Sequence, residues 1–312
     1  MKRKDFLTLS AATLVISASS PHSLLGNEIQ YKKPFLRIAH LTDVHIHPKG
    51  PSEVGFTKAL HKVQSLEPQP DMIFNGGDSI MDSLNASKEE TTSQWKLWND
   101  VLKRENNLPV INCIGNHDVW GWGLKGDKNL TGDKDFGKQM AMEAFDLIDK
   151  YYSFDKQGWH FIVLDSTHYS QFKYEAKLDE EQFEWLKNDL QSVSSNVPIA
   201  VLSHIPILSF SSQFFSGENR KKPSTMEWAQ RSLMHTDAFE IKNLFREFKN
   251  VKLCMAGHLH MQEQLEYLGI KYIENGSVCG NWWKGNFQEF SPAFAIIDFY
   301  PDGTFYNQWI NY

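Results

Sequence analysis

Residues Ile111 to Asp118 read Ile-Asn-Cys-Ile-Gly-Asn-His-Asp, an apolar, β-branched run that stops abruptly in polar side chains. Such a pattern marks a buried strand that delivers functional groups at its carboxyl end. Taken alone, Asn and Asp after a strand make an ordinary turn. Repetition overturns that reading. Phe35–Leu41 precedes Asp43 and His45, Met72–Asn75 precedes Asp78, Ile199–Ser203 precedes His204, and Val251–Ala256 precedes His258 and His260. A parallel sheet with helices between its strands brings five such ends to one rim, and ligands of open α/β sheets sit beyond those ends. Gly115 removes the side chain that would hold a ligand off the backbone. The class expected is α/β.

That rim gathers Asp43, His45, Asp78, Asn116, His204, His258 and His260, with His117 beside them. Imidazoles mixed with carboxylates suit a first-row metal such as Mn, Fe, Zn or Ni better than Ca or Mg.

In order and rough spacing, Asp43-Val-His45, Gly77-Asp78, Gly115-Asn116-His117-Asp118, His204 and Gly257-His258-Leu259-His260 resemble the calcineurin-like metallophosphoesterases, from about Phe35 to Phe299. The resemblance implies a four-layer α-β-β-α sandwich, two mixed sheets face to face between outer helices. It also implies two divalent transition-metal ions. One would be held by Asp43, His45, Asp78 and His260, the other by Asp78, Asn116, His204 and His258, with Asp78 bridging. Two ions roughly 3.5–4 Å apart can each grip a phosphoryl oxygen and share a water of lowered pKa. His117, one residue past a ligand, is then placed as a general acid, with Asp118 orienting or charge-stabilising it.

The opening His40-Leu-Thr-Asp-Val-His45, with Asn116 and His117, resembles the bacterial cyclic-nucleotide phosphodiesterase branch of that family. This implies a phosphodiesterase using a metal-bridging hydroxide. A phosphomonoesterase is the alternative within the enzyme class, and a non-catalytic metal-binding scaffold the alternative outside it. Purple acid phosphatases place a metal-binding Tyr three residues after the bridging Asp; here that residue is Met81, which argues against an iron–tyrosinate centre.

A chain of 312 residues, 41% hydrophobic, can bury a sizeable core, and residues 27–312 read as one catalytic domain with loop insertions near 119–137 and 205–234. A net charge of −6 gives no basic field for a nucleic-acid backbone, so a small phosphoester is the partner expected. Met1 to Gly26 begins with Lys2, Arg3 and Lys4 and continues into a short apolar run, Phe6 to Ala18. It reads as an export signal, twin-arginine-like or general secretory, directed to a bacterial periplasm, and too short to span a bilayer comfortably. Three cysteines make no disulfide framework. Helices are expected over Val54–Leu66, Ser87–Asn106, Leu178–Leu190 and Asp237–Phe248, with a hairpin turning at Gln157-Gly158. Trp120 and Trp122 lie in a Gly-rich loop after the ligand block, and Trp282 and Trp283 in another loop. Together with Arg220, these four are the side chains expected to wall the substrate.

Overall fold

The computed structural model describes residues 34–124, 130–170, 173–215 and 231–312. The stretch read as an export signal, and Arg220, lie outside them. In chain order the first elements are β1 (Leu36–Leu41), α1 (Ser52–Gln64), β2 (Met72–Asn75), α2 (Lys88–Glu105), β3 (Val110–Asn112) and α3 (Gln139–Phe145). Then come β4 (Tyr152–Lys156), β5 (Trp159–Leu164), β6 (Thr167–Ser170), β7 (Lys173–Ala176), α4 (Glu180–Ser192) and β8 (Ile199–Ser203). The chain continues through α5 (Ala238–Glu247), β9 (Val251–Ala256), β10 (Gln262–Tyr267), β11 (Ile270–Asn275), β12 (Ala293–Phe299) and β13 (Phe305–Asn311).

The five ligand-bearing runs do not share one sheet. One sheet is ordered β13-β12-β1-β2-β3 and the other β10-β11-β9-β8-β5-β4, each mixing parallel and antiparallel pairs. Three runs therefore end on the first sheet and two on the second. Phe74, Ile297 and Phe299 of the first sheet pack against Phe161, Leu202 and Met255 of the second, so an apolar layer joins the two faces. On its outer face the first sheet buries Leu41 and Ile73 against Phe56, Trp98 and Phe145 of α1, α2 and α3. The second buries Ile162 and Val201 against Leu186 and Phe245 of α4 and α5. This is the four-layer sandwich. Near-continuous apolar strands such as Ile199–Ser203 follow directly, because both faces of each central strand are covered.

Local chemistry sets the ends of the helices. Ser87 Oγ accepts the amide of Glu90 at 3.1 Å and caps α2, and Asp179 caps α4 through the Gln182 amide at 2.8 Å. Such caps contribute roughly 0.5–2 kcal/mol each. Two elements lack a clear pattern in the sequence, the short helix α3 and the hairpin β6–β7. Lys138, just before α3, is half-buried against Asp165, one residue past β5, and the Thr167 carbonyl of β6, which ties that region to the end of β5 and to the hairpin. Among the described residues no helix is long and apolar enough to cross a membrane.

On the second sheet, buried His160 lies between Asp155 at 2.7 Å and Asp189 at 2.9 Å. Burial opposes its charge, but the Asp189 and Asp155 carboxylates outweigh burial and raise its pKa above the ordinary value of 6.5. A raised folded-state pKa stabilises fully below the unfolded value and loses that contribution as pH climbs through the folded one. The stability difference between the wild type and His160→Gln, measured by urea unfolding of chelator-treated protein, should therefore be largest near pH 6. It should shrink towards pH 9; a difference independent of pH would contradict the pairing.

Candidate metal centre

Register brings the ligands together. Leu41, Asn75 and Asn112 are aligned across β1, β2 and β3, so the turns that follow present Asp43, Asp78 and Asn116 side by side. Leu202 is aligned with Met255 across β8 and β9, which sets His204 and His258 on the facing rim. Gly115 and Gly257 make the approach possible: a Cβ on Gly115 would lie 2.2 Å from Asp78, and one on Gly257 would lie 2.0 Å from Thr42 Oγ1 and 2.4 Å from Asp43 Oδ2. Only glycine fits there.

The backbone at the rim is strained. Asp43, His45, Asp78, His258 and His260 all have φ between +48° and +70°, so five of the seven expected ligands occupy the left-handed region that L-residues avoid. Each such residue costs on the order of 1–3 kcal/mol, and strain concentrated in one cluster points to a functional demand on side-chain direction.

Ligand-type atoms of Asp78, His204 and His258 all lie within 4.8 Å of one another, as do those of His45, Asp78 and His117, and those of His45, His260 and Cys279. Asp78 faces both halves: Oδ1 is 3.3 Å from His204 Nε2, and Oδ2 is 3.6 Å from His45 Nε2. Asp43 Oδ1 is 3.4 Å from His260 Nε2, and Asn116 Oδ1 is 3.1 Å from His204 Nε2. All seven residues are buried.

Four imidazoles are fixed from behind by backbone carbonyls. His45 Nδ1 faces Met81 O, His204 Nδ1 donates to Gly76 O, His260 Nδ1 to Gly280 O, and His258 Nε2 to Ser232 O. Each bond fixes which ring nitrogen is left for a cation. In His258 that nitrogen is Nδ1, buried and without a hydrogen-bond partner among the described residues. A buried orphan acceptor beside two carboxylates suits a divalent transition metal, so the residues fit such an ion.

Electrostatics agree. Burial pushes His45 and His258 down to about 3, which leaves them neutral donors. Burial would lower His204 as well, but Asp78 outweighs it and lifts the ring to about 9. Burial opposes ionisation of Asp78 and Asp43, yet His204 holds Asp78 well below the usual carboxylate range and His260 brings Asp43 down to about 2. Two buried carboxylates that stay charged attract cations, and a metal entering here displaces the imidazolium protons.

His117 differs from the seven. Its side chain stays 27% accessible, its ring meets His45 edge-on at 4.8 Å, and its Nδ1 lies 3.7 Å from Asp82 Oδ1. Asp118, expected to orient it, does not. Asp118 Oδ2 accepts the Gly115 amide at 2.9 Å, and Oδ1 accepts the Ser79 and Ile80 amides at 2.9 and 3.3 Å. One amide in its own turn and two in the loop after β2 claim that carboxylate, so Asp118 clamps two rim loops together. Asp82 faces His117 instead, held by Gln94, which accepts its amide and donates to its carbonyl.

The aromatic residues divide. Trp120 is buried with Nε1 on Ala86 O, and its amide and carbonyl pair with Gly137, so it closes the stem of its loop. Trp122 packs against Tyr169 and Lys138. Trp283 donates Nε1 to Val44 O and His45 O, an anchor beneath the rim. Of the four expected to wall the substrate, only Trp282 meets ligand rings, His260 at 4.5 Å and His45 at 5.8 Å. Cys279, unassigned from the sequence, is buried 3.9 Å from His260 Nδ1 and 3.2 Å from Ser277 Oγ. Asp82, Gln94, Cys279 and the four carbonyls carried no sequence signal, because only the fold aims them.

Comparison with known proteins agrees with this geometry. The chain is 22% identical over 282 residues to a 3′,5′-cyclic-nucleotide phosphodiesterase of Nostoc sp., covering 86% of this chain and 90% of that one. It is 22% identical over 289 residues to the 3′,5′-cyclic adenosine monophosphate phosphodiesterase CpdA of Haemophilus influenzae, covering 88% and 89%. Among solved structures, a dimetal phosphatase from Danio rerio matches with a TM-score of 0.60 at 14% identity, over 90% of this chain and 100% of that one, and so shares the fold. The Calcineurin-like phosphoesterase model matches residues 36–262, from β1 to the start of β10. The chain therefore belongs to the calcineurin-like phosphoesterases, a family of metal-dependent phosphoric ester hydrolases that bind two metal ions.

Proposed function

We propose that this protein is a phosphodiesterase acting on 3′,5′-cyclic nucleotides. The observation that carries the catalytic part is one accessible imidazole, His117, set against seven buried ligand-type side chains. The diester part is supported by the activity named for the Nostoc and Haemophilus relatives. In this reading Asp43, His45, Asp78 and His260 hold one divalent ion, and Asp78, Asn116, His204 and His258 the other. Bound there, the ions would neutralise phosphoryl charge and lower the pKa of a water; Mn, Fe or Zn suits the donor set.

The protein's own groups do the rest. The rim loops hold the phosphoryl group's surroundings rigid, because strained turns and glycine contacts leave little freedom. His117, with Nδ1 turned towards Asp82, presents Nε2 to the leaving oxygen and gives it a proton. Asp82 is the carboxylate that faces the ring, 3.7 Å from Nδ1, on the side where the sequence suggested Asp118.

The test is hydrolysis of bis-p-nitrophenyl phosphate against p-nitrophenyl phosphate by the Mn-loaded chain, followed by 3′,5′-cyclic AMP. Preference for the diester and turnover of the cyclic nucleotide are the expected results. Preference for the monoester would make the protein a phosphomonoesterase, and turnover of neither would leave a metal-binding scaffold.

A further inference from the structure

Strand β11 runs parallel to β9, so its end at Asn275 opens on the rim that carries His258 and His260. The chain beyond it places two adjacent tryptophans in the left-handed region, Trp282 at φ +46° and Trp283 at φ +65°. Bulky residues avoid that region, and two in succession require a firm anchor. Trp283 supplies it: besides its bonds to Val44 O and His45 O, it fills a space that α1 leaves open at Gly55, where a Cβ would fall 2.0 Å from the indole. With Trp283 seated inwards, the strained turn sends Trp282 to the opposite side, onto the metal-site imidazoles.

There Trp282 lies over His260, tilted by 32°, and meets Phe287 edge-on at 5.9 Å. Phe287 in turn contacts Phe215, which stacks parallel to His258 at 6.5 Å. Trp282, Phe287 and Phe215 are all partly accessible, and among the described residues the Trp282 indole N–H has no hydrogen-bond partner. An aromatic face and an unengaged donor thus stand one ring beyond the ligand imidazoles. A substituent carried by a phosphoryl group at the metals reaches this face, and a planar heterocycle gains most from it.

Resting on the phosphodiesterase reading, we propose that Trp282 is the specificity determinant that stacks the base of a cyclic nucleotide. It would make the enzyme select base-bearing diesters over sugar or alkyl diesters. The Trp283 anchor and Gly55 set the angle of that platform.

The experiment compares kcat/KM for 3′,5′-cyclic AMP and for base-free ribose 3,5-cyclic phosphate in Mn-loaded wild type, Trp282→Ala and Trp282→Phe, with metal content measured for each. Stacking of a base on an aromatic side chain predicts that Trp282→Ala lowers the ratio of the two values by roughly 5- to 100-fold with two ions retained. Trp282→Phe, which keeps a smaller ring, should lower it less, and it decides the matter if the alanine variant loses metal. Equal losses on both substrates would mean that Trp282 merely packs His260, and would overturn the proposal while leaving the phosphodiesterase reading intact. If the wild type hydrolyses neither compound, that reading fails; binding of AMP against ribose 5-phosphate, followed by calorimetry in wild type and Trp282→Ala, then tests the platform alone. A binding preference abolished by the substitution supports it, and one unchanged overturns it.

Discussion

Replacing His117 with alanine is expected to slow turnover by about 10²–10⁴, the usual contribution of a positioned general acid, with metal content unchanged. The prediction separates His117 from its neighbours by burial. The seven ligand-type residues are sealed, whereas His117 remains 27% accessible and its ring only touches the cluster edge-on. A proton donor must meet the leaving group; a ligand need not meet solvent. Asp82→Asn should produce a smaller loss, because it removes the carboxylate that faces Nδ1 at 3.7 Å. Steady-state kinetics with elemental analysis decide the matter: full turnover in His117→Ala would show that another group donates the proton, and loss of metal would make His117 a ligand.

Asp78→Asn is expected to empty at least one half of the centre and to lower activity by about 10³ or more, since each ion contributes several kcal/mol of charge stabilisation. Geometry gives the reason. Asp78 Oδ1 is turned to His204 and Oδ2 to His45, so the two halves share one carboxylate. An amide offers an oxygen to one side and an N–H₂ to the other, which repels a cation there. Oδ1 also accepts the His117 amide at 2.7 Å, so the substitution disturbs the acid's loop as well. Metal content by elemental analysis, measured beside turnover, checks this. A variant with two ions and wild-type activity would remove Asp78 from the bridging position.

Much of this site could be read from the chain because it is built on strand ends. A buried strand is mostly apolar, so Asp43, Asp78, Asn116, His204 and His258 stood out as metal-ligand residues within three positions of the end of each run. The helices and the Gln157-Gly158 hairpin were legible for a similar reason, through periodicity, the Ser87 cap and turn residues. What escaped depends on direction. Alternation in apolar runs does not say which sheet a strand joins, so five runs expected on one parallel sheet divide between two. Sequence adjacency suggested Asp118 as the partner of His117, but the turn aims it back at three amides and the fold brings in Asp82. Trp120 and Trp283 were expected to wall the substrate because they sit in loops, yet their indole N–H groups find carbonyls beneath the surface. The carbonyls that orient the imidazoles belong to Gly76, Met81, Ser232 and Gly280, where the side chain carries no message.

The central claim is that two divalent ions at this rim make the chain a phosphoester hydrolase. It is tested most directly by stripping the full chain with a chelator and adding Mn stepwise, while bound metal and bis-p-nitrophenyl phosphate hydrolysis are measured on the same samples. No turnover is expected without metal, and the rate should reach its maximum only as the second ion per chain is bound. Turnover that persists in the stripped protein, or that saturates with a single ion bound, would contradict it.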